Sequence, residues 1–179
     1  MVLGYAFALI NYTFYGLGRF MKKKSAILVF SILSLLAAAI SCYFFNSLSG
    51  YYLLLTQIIV TTIAYIKEKK YFTKFLTYAI YILAQLFITA AIMYTFKGLS
   101  SILCYISVSI AIFSIWWLNE QQMRIAGIFI CLFSFLYNMT IYNYLGVLEL
   151  VIISTNVISY CIYKKKNLAI TKGDITWLT

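Results

Sequence analysis

The chain has 179 residues, 64% of them hydrophobic and 10% charged, with no proline, no histidine and a mean hydropathy of +0.95. A soluble domain is about half apolar and about a quarter charged, and at this length it buries only about 70% of its unfolded surface, so the apolar surplus excludes a water-soluble fold. The net charge of +10 argues against nucleic-acid binding rather than for it, because the basic residues sit between apolar runs instead of covering a polar face.

A membrane span needs about 20 mostly apolar residues, with about 17 as the lower end, and the sequence divides into seven such runs. The first, residues 2–20, has no basic region before it and no suitably placed small-residue cleavage site, so it reads as a retained helix and not a signal peptide. It carries Asn11 and is followed by Arg19, Lys22, Lys23 and Lys24. The second, 25–45, ends in an uncharged break, Asn46 to Gly50. The third, 51–66, is slightly short, carries Gln57, and is followed by Lys67, Lys69, Lys70 and Lys74. The fourth, 72–96, holds Gln85 and is separated from the fifth by Lys97 alone. The fifth, 99–118, closes on Trp116 and Trp117, aromatics suited to a membrane–water interface. Arg124 precedes the sixth, 125–142, which carries Tyr137 and Asn138. After the uncharged Asn143 and Tyr144, the seventh, 145–163, carries Glu149 and Asn156 and meets Lys164, Lys165, Lys166 and Lys172. Residues 167–179 form a short polar tail.

Charged and uncharged breaks therefore alternate. Seven spans gather every basic residue except Lys97 on one side, whereas six would split the clusters between two faces. By the positive-inside rule the N-terminus is expected outside and the C-terminus in the cytoplasm.

The sequence also repeats. Aligning Gly50 with Gly146 without a gap sets GYYLLLTQIIVTTIAYIKEKK on GVLELVIISTNVISYCIYKKK, so that both third helices start at a glycine and end in lysines. The expected fold is all-α and polytopic: a first three-helix repeat (1–70), a linker helix (71–98), a second three-helix repeat (99–166) and the tail (167–179). An odd linker gives parallel repeats, related by an axis along the membrane normal, with solute expected between the halves. In topology alone this resembles the three-plus-one-plus-three layout of SWEET-type sugar carriers, although the proline–glutamine signature of those carriers is absent from a chain without proline.

The second half resembles the small bacterial inner-membrane family typified by YgjV. The resemblance rests on Arg124 at the opening of a helix, on Phe135 to Asn138 in place of a W-L-x-Y-N-like segment, and on Gly146, Glu149 and Lys164. Phe135 stands where that family has tryptophan. The resemblance implies a bacterial cytoplasmic-membrane location and no established activity.

The candidate substrate-binding residues are Asn138, Asn156, Tyr137, Glu149, Gln57 and Asn11. Glu149 is the one acidic residue inside a span, and ionisable groups at membrane depth are costly. It serves either to bind a cation or proton, or to reach interfacial water. The in-span amides must find partners, because lipid offers none. They either bond between helices or line a polar cavity.

Asn138-Met139-Thr140 matches a glycosylation triplet but falls inside a helix and is discounted. Cys42, Cys104, Cys131 and Cys161 lie in apolar runs without metal-ligand spacing, so no metal and no cofactor is expected and they read as packing residues. Cys42 and Cys104 fall near the same membrane face, which leaves a disulfide open. With no histidine, and with Asp174 the only aspartate, no catalytic site is expected. The expected function is a carrier of a small polar solute by alternating access, in the bilayer and with a homo-oligomer possible. The rival is a nontransporting membrane protein that binds a protein or lipid partner.

Overall fold

The chain is an all-α polytopic membrane protein. The computed structural model describes residues 2–175, with side chains through Lys164. Among these residues there are seven α-helices and no strand: α1 (Val2–Arg19), α2 (Lys24–Phe44), α3 (Leu48–Lys69), α4 (Lys74–Tyr94), α5 (Leu99–Trp117), α6 (Glu120–Thr140) and α7 (Leu148–Ile175). Six of them, α2 to α7, are long and apolar enough to cross a membrane. The third run is not the marginal one, since α3 extends to 22 residues by recruiting Leu48 and Ser49 and by carrying its lysines within its last turn. There they face the negative end of the helix dipole. The remaining helix, α1, is held by packing: Gly4 abuts Phe44 and Gly18 abuts Phe30, so α1 runs antiparallel along most of α2.

Local signals account for the helix ends. At α6 the Asn119 side chain accepts from the Gln122 amide at 2.9 Å and Gln122 Oε1 accepts from the Asn119 amide at 3.2 Å, a capping box. This starts α6 five residues before the apolar run and places Arg124 inside the helix. Thr73 caps α4. The seventh helix is preceded by a 3-10 turn, Tyr144–Val147, and continues to Ile175. The tail expected from residue 167 is thus helical as far as Ile175, and residues 176–179 lie outside the described residues.

Helices α1, α2 and α3 form one sequential triplet with α2 in the middle, and α5, α6 and α7 form the other with α6 in the middle. Between triplets α1 meets α7 and α3 meets α5, while α4 rests on α3 and α5. Only 17% of the α4 span is buried, against 50% for α5, so the linker is a peripheral strut with most of its apolar surface exposed.

The two triplets share fine detail. The offset that pairs Gly50 with Gly146 also pairs Asn46 (φ 53°) with Tyr142 (φ 58°), the only non-glycine residues in the left-handed region among those described. It pairs the 2.9 Å bond from the Ser47 amide to the Cys42 carbonyl with the 2.9 Å bond from the Asn143 amide to the Asn138 carbonyl. Both are Schellman closures, which let the chain reverse directly after the helix and satisfy its last carbonyls. A Cβ at Gly50 would collide with the Tyr137 hydroxyl, which reaches it from the second triplet, and a Cβ at Gly146 would collide with Asn138 Cβ, so neither site admits one in place.

Candidate functional site

A cavity of about 120 Å³ lies between the triplets. It is lined from α1, α2, α3, α5, α6 and the start of α7, and by no residue of α4. The middle helices α2 and α6 face one another across it. Its wall is studded with amides, hydroxyls and thiols, while the surrounding helix faces are apolar, the general form of a small-solute site.

The polar wall is ordered by a short chain of bonds. Asn138 Nδ2 donates to the Ser134 carbonyl at 2.9 Å, and Asn138 Oδ1 accepts from Asn143 Nδ2 at 2.8 Å. Because a carbonyl only accepts, the first bond fixes which end of the Asn138 amide is oxygen, and the second then fixes Asn143. Asn143 Oδ1 is left buried without a partner. Across the cavity Ser34 donates to Asn11 Oδ1 at 2.6 Å, and Ser107 and Ser134 bond to each other at 2.8 Å. Glu149 is 8% exposed and lies beside Tyr12 and Cys131.

Above and below the cavity the triplets are tied together. At the uncharged end the Ser47 and Tyr137 hydroxyls share a hydrogen bond. At the basic end the carbonyls that close α1 have no helical partners of their own, and the second triplet supplies them. Ser159 Oγ donates to the Arg19 carbonyl, Tyr163 donates to that of Phe20 at 2.7 Å, and Arg124 Nη2 donates to that of Met21 at 2.9 Å. Arg124 is 2% exposed. It also donates to Ser159 Oγ at 2.7 Å and to the Glu120 carbonyl at 2.9 Å, with its guanidinium 4.3 Å above the Tyr163 ring. Arg19 packs in return over Tyr15 at 4.1 Å.

The other seam carries the counterpart. Lys67, which the repeat aligns with Tyr163, donates to the Trp116 carbonyl at 3.3 Å, and Trp116 aligns with Phe20. Where the first seam has Arg124, this one has Leu28, fully buried among apolar side chains. One seam between the halves is thus a polar clamp, and the other is greasy apart from the single Lys67 contact at its basic end. No family model, curated protein or solved structure matches the chain.

Of the six candidate residues, Asn11, Gln57, Tyr137, Asn138 and Glu149 line this one cavity. Asn156 does not. It is fully buried between α6 and α7, its Nδ2 donating to the Ile152 carbonyl at 2.9 Å and its amide seated against Gly127. Gln85 lies on α4, away from the cavity, beside a shallow groove between α4 and α5. Cys42, Cys104 and Cys131 line the cavity, and all four cysteines are free thiols, so no disulfide joins Cys42 to Cys104.

Sequence reasoning missed Asn143, taken as loop, and the whole Arg124 clamp. The Asn119–Gln122 capping box was the available signal for Arg124, because it draws the arginine inside a helix. Nothing local marks Ser159 or Tyr163 as its partners.

Proposed function

We propose that this protein is a carrier that moves a small polar solute between its two triplets by alternating access, rather than an enzyme. The observation that supports it is the cavity on the approximate axis between two matched halves, lined by in-span amides from both and bracketed by separate cross-half contacts at each end. Alternation requires those contacts to break one set at a time. The greasy seam backed by α4 is suited to a hinge, since apolar surfaces slide without stranding polar groups. The clamp around Arg124 is suited to a latch.

The location proposed with it is the bacterial cytoplasmic membrane, in keeping with the resemblance to the YgjV-like family. The N-terminus is outside and the C-terminus inside, supported by the gathering of Arg19, Lys22–Lys24, Lys67–Lys74, Arg124 and Lys164 at one end of the bundle.

The competing reading, a nontransporting protein that binds a protein or lipid partner, draws on Asn156, whose Nδ2 bonds within α7 and whose Oδ1, buried without a partner, packs against Gly127 of α6. Reconstitution decides between them. Protein in liposomes is expected to accelerate the flux of at least one member of a panel of small neutral, cationic and anionic solutes over protein-free liposomes. A panel in which nothing moves removes the carrier reading.

A further inference from the structure

The cavity has a charge inventory that narrows what it can hold. One carboxylate lines it, Glu149, and no lysine or arginine does. The titratable groups that face Glu149 are Tyr12 and Tyr15 from α1 and Cys131 from α6, with Cys42 from α2 and Tyr137 from α6 further along the same wall, all neutral in their ordinary forms. The nearest cation in its field is Arg19, which is 5% exposed, stacked on Tyr15 and donating to the Met123 carbonyl at 3.5 Å. Among the described residues the one ion pair, Lys24 with Glu68 at 2.9 Å, is at the basic end. Glu149 therefore has no counter-charge within ion-pair distance.

A second observation is independent of it. Asn143 Oδ1 also belongs to this wall, is buried and accepts nothing, and the bond order from Ser134 through Asn138 fixes it as an oxygen. The cavity wall thus carries a carboxylate that Tyr12 and Cys131 hydrogen-bond but no cation neutralises, and an amide oxygen with no partner, and Tyr12, Tyr15 and Tyr137 line the same space. A neutral polyol would leave the carboxylate uncompensated, and an anion would oppose it. A compact cation with N–H donors answers both acceptors and gains from the ring faces.

We propose that the solute is a small organic cation of the alkylammonium type, and that it shares Glu149 with a proton, each excluding the other. A bare carboxylate at membrane depth costs several kcal/mol, so the site is neutralised by one partner or the other. Binding of R–NH3+ displaces one H+ from the Glu149 carboxyl, no net charge is gained, and the exchange is one for one. This rests on reading the cavity as a solute site, but binding and flux are separable.

The test is calorimetry on the purified protein in detergent, with ethylammonium chloride as probe, acetamide as a neutral solute of similar size and sodium acetate as an anion. Titrations in two buffers of different ionisation enthalpy count the protons released. Ethylammonium is expected to bind with release of about one proton per cation near neutral pH, and acetamide and acetate to give no heat of binding. Glu149→Gln is expected to lower ethylammonium affinity by about tenfold or more and to abolish proton release, since it removes a charge-assisted contact. Glu149→Asp is expected to keep both, which preserves the test where the glutamine variant does not fold.

Acetamide binding without ethylammonium binding would overturn the inference and leave the carrier intact. So would ethylammonium binding that Glu149→Gln leaves unchanged. Binding without proton release overturns the exchange. Ethylammonium binding with proton release but no flux in liposomes upholds the cation site and removes the carrier.

Discussion

Arg124 is the most heavily used side chain in the molecule, and what it holds is mostly backbone. Its guanidinium, with Ser159 and Tyr163, completes the carbonyls of Arg19, Phe20 and Met21, so its removal leaves the half-buried Met21 carbonyl without a donor and takes one of two donors from the buried Arg19 carbonyl. Arg124→Leu copies the residue at the equivalent place in the first triplet and keeps the volume, yet it is expected to cost about 2–4 kcal/mol, because these carbonyls lose donors. Thermal unfolding in detergent, followed by circular dichroism, reports this directly. A Leu variant that melts with the wild type would show that the clamp contributes nothing. The amides divide at the same scale. A thiol placed at position 138 is expected to react with a small polar reagent, whereas one at position 156 is not, because Asn138 lines the cavity and Asn156 is sealed between helices. Equal labelling of the two would erase the distinction.

At the scale of elements, close approach depends on particular glycines. The Asn156 amide fills the space that a Cβ on Gly127 would need and, fully buried and bonded to Ile152, it has no room to swing aside. Gly127→Ala is therefore expected to push α6 from α7 and to destabilise by about 1–3 kcal/mol. Adding Asn156→Ser should return much of that loss, a coupling measurable by a double-mutant cycle. Additive losses would mean that the two residues do not meet. Gly146→Ala should be worse than Gly127→Ala, since the obstructing atom is Asn138 Cβ, next to the backbone.

The helices were legible because apolar length and lysine-rich ends are local properties. Their boundaries were less so. The start of α6 was set by a polar capping box that an apolar count passes over, and α7 ran on past its lysines as helix.

At the scale of the whole molecule, the asymmetry between seams governs motion. The α3–α5 seam is backed by α4, and the α1–α7 seam has no such helix packed behind it. If the halves open at the clamp, tying α1 to α7 should arrest flux while leaving solute binding in place. Gly16 lies against the end of the Ile152 side chain, so Gly16→Cys with Ile152→Cys, bridged by a short bifunctional methanethiosulfonate, tests this. Cross-linking is expected to stop transport, and reduction to restore it. Unchanged flux in the cross-linked protein would place the moving seam elsewhere. Reporters fused to the two ends should answer from opposite compartments, as an odd number of crossings demands, and reporters on the same side would break both the orientation and the pairing of triplets.

Class, helix number and the repeat followed from the sequence itself, because burial in lipid requires long apolar runs and the charges between them are counted without any geometry. Asn11, Gln57, Asn138 and Glu149 stood out the same way, since an amide or acid inside a greasy run is conspicuous wherever it points. The tertiary structure decided which of them share a space. It turned Asn156 into packing, brought Asn143 in from a turn, and matched Arg124 to carbonyls more than a hundred residues away. Such pairings are set by which helix faces meet, and in lipid, where every outward face is equally apolar, hydropathy carries no record of that choice.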